Sequence, residues 1–456
     1  MSKVTPISGF PEFLPSDRIV EQHFLDVIRE TFELHGFASI ETRAVEPVER
    51  LSNQGEDADK EIYAVRRLGA PADEKSDLGL HFDLTVPFAR YVLENAGKLA
   101  FPFRRYQIQK VWRGERPQEG RYREFAQADI DIVGDGTLPF HYEVELPLVI
   151  ADAFSKLPIP PFRIQVNNRQ IPEGFYRGLG IEDVASVLRI VDKLDKIGPD
   201  KVTQLLTAED GPALDAETAK QVLRLAEISS TDASFVEQVR ALGVQHEILD
   251  EGLERLAAIM TAANEHAPGL LVADLKIARG LDYYTGTVYE TQLIGHESYG
   301  SICSGGRYDS LASDGKTTYP GVGISIGVSR LITRLFSQGL VKGSRSTPTA
   351  VLVALNNEDE RADAMRTAAA LRARNIPVEV APAAAKFGKQ IKFADRRGIP
   401  FVWFTTENGA EVKDIRSGEQ VAADPATWSP PAQDVRPSIE TPQLETPQLE
   451  TPQENS

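Results

Sequence analysis

Two long runs of alternating residues place the strongest constraint on the fold. They are YQIQKVWRGE (Tyr106–Glu115) and REFAQADIDI (Arg123–Ile132). The segment between them contains Pro117 and Gly120, which are residue types that favour a loop. Because side chains along a β-strand alternate between the two faces of a sheet, the pattern predicts an antiparallel hairpin with two different faces.

The two faces of this hairpin differ in chemistry. The even-numbered face is small and apolar, so it can pack against helices, and consists of Ala126, Ala128, Ile130 and Ile132. The odd-numbered face is mainly polar and consists of Arg113, Glu115, Phe125, Gln127, Asp129 and Asp131. In one interpretation this face contacts water, as in many antiparallel sheets. In the other it lines a ligand cavity, where arginine binds an anion and the acids bind a donor-rich group. The hairpin alone does not decide between them.

Two other segments favour the cavity. LHFDLTVPFARY places Asp83 and Thr85 two positions apart, and therefore on one face of a predicted strand. LKIARGLDYYTG contains Tyr283 and Tyr284, an aromatic pair that by itself is more typical of a core. It also contains Arg279 directly before a glycine, which packing explains less easily.

A glycine-rich segment, GVGISIGVSRL (Gly321–Leu331), ends with Arg330. Its G-x-G-x-x-x-G spacing does not match the dinucleotide-binding fingerprint, and no acidic residue follows at the distance which that fingerprint requires. Glycines here more plausibly allow the backbone to pack closely against a flat ligand such as an adenine ring.

Composition excludes several classes of protein. Cys303 is the single cysteine, so an internal disulfide framework is excluded and a reducing compartment is favoured. No Cys-x-x-Cys or His-Glu-x-x-His spacing indicates a metal site. No run of about 18 apolar residues predicts a membrane span, and the first residues lack a signal sequence. We therefore expect a soluble cytoplasmic protein. Its net charge of −17 opposes unspecific binding to nucleic acid but allows a specific complex at a local basic face.

Periodicity along the chain predicts an α+β protein with several domains. Ser16–His35 has helical spacing, with Ser16 as a cap and Gly36 at the C-terminus. Short strands follow, then a strongly helical stretch, and then strands return. We therefore predict an antiparallel-sheet core (1–170 and 268–338) interrupted by a helical insertion (171–267).

The end of the chain predicts two further parts. Strand-like segments alternate with helical ones over residues 346–425, which indicates a small α/β domain with parallel strands. The sequence ETPQ occurs three times at a period of five near the end. A Pro/Gln/Glu repeat cannot bury a core, so residues 431–456 are expected to be a disordered tail.

One helical segment of the α/β domain is basic. Its five basic residues lie within twelve positions, with Asp395 as the only acid: Lys386, Lys389, Lys392, Arg396 and Arg397. Such a face is often merely solvated. In this setting it is also suited to RNA phosphates.

The motifs together resemble those of the histidyl-tRNA synthetase family, within the class II aminoacyl-tRNA synthetases. FRRYQIQKVWRGERPQEGRYREFAQADIDIVG is similar to motif 2 and GVGISIGVSRL to motif 3, while ARGLDYYTG and CSGGRYD are similar to two histidine-specific segments. KFGKQIKFADRRGIPFVWF resembles part of the anticodon-binding domain. The resemblance runs from the first helix to about Ala423. It implies a class II catalytic core with a helical insertion, a C-terminal α/β anticodon-binding domain and a homodimer.

Two positions depart from the family's usual pattern. The opening reads SGFPEFLP in place of Gly-Thr-x-Asp-x-x-Pro, and residues 83 and 131 are both Asp, where many members have Glu.

The resemblance also implies an activity and roles for individual residues. Histidine is activated with ATP to an adenylate and transferred to tRNA(His), with Arg279 and Arg113 as the catalytic residues. Histidine is bound by Asp83, Thr85, Arg113, Gln127, Asp131, Arg279, Tyr283 and Tyr284. ATP, which arrives with Mg²⁺, is bound by Arg113, Glu115, Arg121, Phe125 and Arg330. The tRNA is bound by Lys386, Lys389, Lys392, Arg396 and Arg397.

Three competing functions remain. A regulatory paralogue in histidine biosynthesis shares the catalytic core, but such proteins typically lack the C-terminal domain and have degraded arginine motifs. ARGLDYYTG argues against a class II synthetase for another amino acid. A purely RNA-binding protein would not need the ordered acids and tyrosines of the cavity.

Overall fold

The structure is a computed structural model that describes residues 4–52, 61–71, 76–117, 120–277, 283–406 and 409–442. The chain divides into two compact units. The first comprises Met1–Pro11 and Phe24–Arg334, and the second comprises Glu12–His23 and Leu335–Ser456.

Strands and helices are mixed throughout the chain up to residue 337. In chain order they are α1 (Pro15–Leu34), β1 (Ala38–Ser39), β2 (Val45–Pro47), α2 (Val48–Leu51), β3 (Ala64–Val65), β4 (Leu78–Leu80), α3 (Thr85–Asn95), β5 (Phe103–Trp112), β6 (Glu124–Val133), α4 (His141–Ser155), β7 (Phe162–Asn168), α5 (Gln170–Gly178), α6 (Val184–Val191), α7 (Leu194–Thr207), α8 (Ala216–Ala226), β8 (Ser229–Ser230), α9 (Phe235–Arg240), α10 (Glu247–His266), β9 (Leu271–Asp274), β10 (Thr287–Leu293), β11 (Cys303–Tyr308), β12 (Gly321–Ile326) and α11 (Val328–Ser337). Short 3₁₀ helices lie at Ala96–Lys98 and Glu297–Tyr299.

The first helix begins one residue earlier than predicted. It starts at Pro15, so Ser16 lies inside the first turn and is not the cap. Proline is tolerated at this position because the first amides of a helix have no intrahelical partner. The predicted end is confirmed, since Gly36 follows the helix with φ of 77°.

The first unit is built on a nine-stranded sheet within the described residues, in the order β1-β5-β6-β12-β11-β10-β7-β9-β8. The six strands from β5 to β7 in this order pair antiparallel with their neighbours. The β1–β5 and β7–β9 pairs are parallel. This confirms the predicted antiparallel core.

The predicted hairpin forms, with strand ends displaced by up to three residues. Its strands are β5 and β6, and Gln107 pairs with Asp129 while Arg105 pairs with Asp131. The even-numbered side chains at 128, 130 and 132 are fully buried, as expected. The odd-numbered face is buried at Gln127 (8% exposed) and Asp129 (2% exposed), and it is partly buried at Arg113, Glu115 and Phe125. The half-solvated interpretation of this face is therefore wrong.

The stretch between β7 and β9 is mainly helical, as predicted for the insertion, and contains α5 to α10. It also contributes a strand that the sequence did not predict. Ser229 and Ser230 form β8, which pairs antiparallel with β9 at the edge of the large sheet. The exact limits of the insertion, 171–267, stay a prediction.

The second unit contains the predicted strand–helix–strand–helix–strand order. Its elements are β13 (Lys342–Gly343), β14 (Val351–Val353), α12 (Arg361–Arg372), β15 (Val378–Val380), α13 (Phe387–Arg397), β16 (Phe401–Thr406), β17 (Gly409–Asp414), β18 (Gln420–Ala422), α14 (Ala432–Val435) and β19 (Ile439–Glu440), with a 3₁₀ helix at Glu358–Glu360. The sheet order is β15-β14-β16-β17-β18, and its first three strands are parallel. The antiparallel strands β17 and β18 were not predicted.

The predicted start of the disordered tail, residue 431, is wrong. Residues 431–442 carry α14 and β19, and β19 pairs antiparallel with β13. The buried Arg345 donates hydrogen bonds to the carbonyl oxygens of Asp434 (2.9 Å) and Val435 (3.2 Å). These bonds hold a segment whose composition alone suggested disorder. The ETPQ repeats from residue 443 onward lie outside the described residues.

Candidate active site

A cavity of about 510 Å³ lies over the polar face of the hairpin. Its wall combines basic, acidic and aromatic side chains from β6, β10, β11, β12 and the loops beside them. Most of the residues predicted to bind the small substrates line it, namely Asp83, Thr85, Arg113, Glu115, Arg121, Phe125, Gln127, Tyr283, Tyr284 and Arg330. Segments that lie up to about 250 residues apart in sequence therefore meet in one place, which none of the motifs establishes separately.

Asp83 and Thr85 line the cavity, but the predicted strand is wrong. Asp83 lies between β4 and α3, and Thr85 is the first residue of α3. Oδ1 of Asp83 accepts a hydrogen bond from the backbone N–H of Val86 at 3.1 Å, so the side chain acts as a cap for the helix. The hydroxyl of Tyr283 donates to Oδ2 at 3.1 Å. Burial raises the pKa of the Asp83 carboxyl.

The arginines of the cavity are held by neutral or acidic neighbours. Nε of Arg113 donates to the carbonyl oxygen of Phe82 at 3.0 Å, and its guanidinium lies 5.1 Å from the ring centre of Phe125. These contacts orient Arg113 without neutralising its charge. Arg121 lies 3.4 Å from the carboxylate of Glu115. An anion with several oxygens suits a wall that carries such cations.

Arg330 approaches the cavity from α11. Its Nη2 donates to the carbonyl oxygen of Tyr299 at 2.7 Å. The glycines before it serve close packing. A Cβ at Gly323 would lie 2.0 Å from Oδ1 of Asp131 on the neighbouring strand. Close packing of these glycines against a flat ligand such as an adenine ring stays a prediction.

The side-chain amide of Gln127 forms a hydrogen bond through its nitrogen but not, among the described residues, through its oxygen. Its Nε2 donates to Oγ of Ser325 at 2.8 Å. Its buried Oε1 has no hydrogen-bond partner among the described residues. A buried acceptor of this kind is a natural position for a donor on a substrate.

Asp131 is not among the side chains that line this cavity, and its role in binding histidine stays a prediction. Its carboxylate lies 2.6 Å from Nη2 of Arg105 and accepts a hydrogen bond from the Tyr308 hydroxyl at 2.7 Å. Both oxygens of Asp131 are therefore engaged by neighbouring side chains. Burial raises the pKa of Asp131 to about 6, although the charge of Arg105 acts in the opposite direction.

Two residues of this buried group had no predicted role. Arg105 is fully buried, and its guanidinium lies 4.4 Å from the ring centre of Phe88. It belongs to the same odd-numbered set as Arg113, so alternation extended to the start of β5 would have found it. Tyr308 lies in CSGGRYD, but the tyrosine of that segment had no predicted role.

Asp129 was noted on the polar face but not assigned to the site. It lines the cavity and is almost fully buried. Burial raises its pKa to about 7, and the neighbouring charge of Asp131 acts in the same direction. It is the site acid that the sequence analysis missed.

The opening loop packs against the motif 2 loop. The carbonyl oxygen of Gly9 accepts hydrogen bonds from the backbone N–H groups of Arg123 (2.7 Å) and Glu124 (3.1 Å). SGFPEFLP thus fixes the start of β6, although it departs from the family's usual pattern.

The predicted catalytic arginine, metal ions and membrane helices can be considered only for the part of the chain that the structure describes. Arg279, with the rest of 278–282, lies outside them. Within the described part of the chain no group of three His, Cys, Asp or Glu side chains is placed to hold a metal ion. None of the helices in that part is long and apolar enough to cross a membrane.

The basic segment of the second unit forms an exposed stripe. Lys386 precedes α13, and Lys389, Lys392 and Arg396 follow it at helical spacing on an exposed face. Arg397 differs. Its guanidinium forms an ion pair with Glu379 and lies 5.3 Å from the ring centre of Phe393. Arg397 therefore also contributes to the packing of this unit, and its contact with tRNA stays a prediction.

Comparison with known proteins identifies the family. Residues 9–331 match the model of the family described as histidyl-tRNA synthetase. The chain belongs to the histidyl-tRNA synthetase family. Residues 349–426 match the anticodon binding domain. Among curated relatives, the histidine–tRNA ligases of Micrococcus luteus and Cutibacterium acnes are each 61% identical, and the alignments cover 96% of this chain and 99% of each relative.

Solved structures of the family agree with this fold. The crystal structure of histidyl-tRNA synthetase from Nostoc sp. PCC 7120 has a TM-score of 0.81 and 36% identity, and covers 92% of this chain and 97% of its own. An ATP phosphoribosyltransferase regulatory subunit/histidyl-tRNA synthetase from Bacillus halodurans has a TM-score of 0.70, covering 86% of this chain and 97% of its own. At 19% identity, that second likeness shows the fold alone. The family resemblance read from the motifs is confirmed.

Proposed function

We propose that this chain is a histidine–tRNA ligase whose cavity activates histidine with ATP. The carboxylate of histidine attacks the α-phosphate of ATP, which forms histidyl-adenylate and releases pyrophosphate. The acyl group then moves to the terminal ribose of tRNA(His), and AMP is released. One observation carries the proposal: a single cavity combines cations for phosphates with buried acids and tyrosines for a donor-rich amino acid.

Arg113 and Arg279 carry the activation step. Transfer at phosphorus depends mainly on positioning and charge neutralisation. Arg113 is oriented by a backbone carbonyl and an aromatic ring, so its charge is available to the α-phosphate and the histidine carboxylate. Arg279 is assigned to the opposite side of the same phosphate by its position in ARGLDYYTG.

Histidine is held at its ammonium end by Asp83, Thr85 and Gln127. A carboxylate beside an ammonium group is favourable, and the unengaged Oε1 of Gln127 accepts a further N–H. Tyr283 orients Asp83 through its hydroxyl. Tyr284 contributes its ring, which lies edge-on to Tyr283 with centres 4.9 Å apart.

ATP is held by the side chains at the arginine-rich end of the cavity. Phe125 stacks on the adenine ring, Arg330 binds the γ-phosphate, and Glu115 with Arg121 completes the site. Magnesium bound together with ATP would neutralise phosphate charge. The cavity carboxylates of Glu115 and Glu290 would supply oxygen ligands of the type that this ion accepts alongside phosphates and water.

The second unit binds tRNA through the exposed stripe Lys386, Lys389, Lys392 and Arg396. Exposed cations near RNA phosphates act through counterion release, so this contact weakens as salt rises. The protein is further proposed to be a cytoplasmic homodimer. A mass measurement in solution by light scattering tests the dimer, and a monomeric mass at assay concentrations refutes it.

The test of the function is histidine-dependent exchange of pyrophosphate into ATP, with and without Arg279→Ala. The wild-type chain should exchange with histidine and with no other natural amino acid, and the variant should lose exchange by roughly 10³-fold or more. Absence of exchange with every amino acid would instead favour a regulatory paralogue.

A further inference from the structure

A second chamber adjoins the active-site cavity on the side of the helical insertion. Its volume is about 340 Å³, and its wall combines residues of α7 with residues of β7 and β10. The proposed function assigns Arg330 to the γ-phosphate of ATP and Arg121 to the same site, and both residues line the cavity and the chamber. Arg113, at the α-phosphate, lines only the cavity. The boundary of the two spaces is therefore the place for the terminal phosphates, and it is lined by Arg121, Lys196, Glu290, Ser301 and Arg330.

Lys196 is a cation at this boundary to which the proposed function gives no role. It lies in the first turn of α7, so the helical insertion reaches the cavity of the catalytic core. In the described part of the cavity wall, five acids stand against Arg113, Arg121 and Arg330 when Lys196 is left aside. ATP adds several negative charges to this wall, so a fourth cation beside its phosphates stabilises the complex.

The turn that carries Lys196 has a fixed backbone. Only Asp192 and Lys193 separate α6 from α7, and the backbone N–H of Lys196 donates to the carbonyl oxygen of Lys193 at 2.9 Å. Gly198 then interrupts α7 with φ of 79°, a conformation that favours glycine. Residues 194–197 therefore form a turn of their own, whose direction is independent of the rest of the helix.

An ion pair ties this turn to the large sheet. The carboxylate of Asp195 lies 3.2 Å from Nζ of Lys276, which also lies 3.7 Å from the carboxylate of Asp274 at the end of β9. Asp274 is itself held, because Gln165 on β7 donates to its Oδ2 at 2.6 Å. Exposed ion pairs contribute little to stability. Since Asp195 directly precedes Lys196, the contribution of this pair is to position the lysine at the boundary.

We propose that Lys196 binds the terminal phosphates of ATP and that the ion pair between Asp195 and Lys276 positions it there. This inference rests on the proposed function and extends its ATP site to the insertion. An ammonium group beside phosphate oxygens forms charge-assisted hydrogen bonds. Lys196 therefore distinguishes nucleotides by their β- and γ-phosphates. The insertion then takes part in the activation of histidine before any tRNA is bound.

The test is equilibrium binding of ATP and of AMP, with magnesium and without histidine, measured by calorimetry. Lys196→Ala should weaken ATP binding roughly tenfold through loss of one charge-assisted contact, and AMP binding should stay unchanged because AMP has no β- or γ-phosphate. Lys196→Arg keeps the charge and should retain most of the affinity. The matched control is Lys201→Ala, which removes an exposed lysine beyond the interruption of the same helix and should bind both nucleotides like wild type.

Asp195→Ala tests the positioning contact. It should weaken ATP binding less than Lys196→Ala does. The double variant should bind ATP no more weakly than Lys196→Ala alone, because Asp195 acts through the lysine and the two losses share one cause. Additive losses would overturn the positioning role of the ion pair.

Two results would overturn the role of Lys196 itself: wild-type affinity for ATP in Lys196→Ala, or equal losses for ATP and AMP, which would show that the lysine only maintains the shape of the cavity. Pyrophosphate exchange separates this inference from the proposed function. If wild type exchanges with histidine while Lys196→Ala binds ATP normally, the inference fails and the function stands. If wild type exchanges with no amino acid, the proposed function fails, and the comparison of ATP with AMP still decides the role of Lys196.

Discussion

The two sheets of this protein use polar residues in opposite ways. In the large sheet, β6 buries acids and apolar residues alike, and its polar face lies under the cavity. In the second unit, β14 and the first four residues of β16 are buried and mainly apolar, while the basic residues lie outside on α13. Buried charges interact strongly because the interior is poorly polarisable, whereas exposed charges are screened by water and salt. The first arrangement suits chemistry, and the second suits recognition of a polyanion.

Arg113→Ala should have the largest effect, and this effect should be confined to the function assigned to the large sheet. Removing a cation from the phosphate site should lower kcat/KM for pyrophosphate exchange by roughly 10³-fold, because charge neutralisation contributes most of this catalysis. The affinity for tRNA should change little. The exposed Arg240 on α9 provides the control.

Arg240→Ala removes the same charge from the first unit at a distance from the cavity wall, so exchange should continue at the wild-type rate. Equal losses in the two arginine variants would show that net charge, not the cavity, sets the rate.

Gly323→Ala should disrupt the packing between β12 and β6, where Gly323 pairs with Asp131. Its new methyl group would overlap the Asp131 carboxylate, which has no room to move away from Arg105 and Tyr308. We expect a loss of about 1–3 kcal/mol in the free energy of unfolding, measured with urea. Gly97→Ala, at an exposed site with open space around it, should cost far less. An unchanged free energy of unfolding in Gly323→Ala would contradict the close packing of the Asp131 carboxylate against Gly323.

The pH dependence of histidine binding should report the ionisation of Asp129, which lines the cavity. Its pKa of about 7 lies above the ordinary range, so raising the pH through 7 creates the charged acceptor. The KM for histidine should therefore fall up to roughly tenfold from pH 6 to pH 8, following the ionised fraction. The groups that face Asp129 are Arg105, Asp131, Asp83, Tyr284 and Cys303.

Histidine itself titrates in the same range, so the comparison with Asp129→Asn isolates the contribution of the protein. The variant should lose this part of the profile. An identical profile in the variant and the wild type would assign the pH dependence to the substrate alone.

Arg396 and Arg397 are adjacent, but replacing them should affect different properties: tRNA affinity for Arg396 and stability for Arg397. Both effects should be small. Arg396→Ala should weaken tRNA binding a few-fold and reduce its salt dependence, because an exposed phosphate contact is lost. Arg397→Ala should instead lower the stability of the second unit by about 1 kcal/mol, because Glu379 and the Phe393 ring lose their partner. If Arg397→Ala weakened tRNA binding and Arg396→Ala lowered stability, Arg396 would not belong to the tRNA-binding stripe.

Local sequence was sufficient for many of the elements and for much of the cavity. Alternation predicted β5 and β6, and composition predicted the three parallel strands of the second unit, because each signal lies within one segment. The family motifs then predicted which side chains meet.

Sequence was insufficient wherever a distant strand decides the outcome. Asp129 and Asp131 have the same parity and the same residue type, so alternation cannot distinguish them. Their difference comes from Ser325 and Gly323, which lie almost 200 residues later and pair with them across β12. The ion pair of Arg397 was not predicted for a similar reason, since its partner Glu379 lies on a strand and not on α13. The predicted start of the tail at residue 431 was wrong because composition gave no sign of the hydrogen bonds from Arg345.

The central claim is that activation belongs to the cavity and tRNA binding to the exposed stripe. One paired measurement tests it: pyrophosphate exchange without tRNA, and aminoacylation as a function of tRNA concentration, in Arg113→Ala and in the triple variant Lys386→Ala, Lys389→Ala and Lys392→Ala. We predict that Arg113→Ala loses both activities, whereas the triple variant keeps wild-type exchange and shows only a raised KM for tRNA. Loss of exchange in the triple variant, or full exchange in Arg113→Ala, would contradict the account.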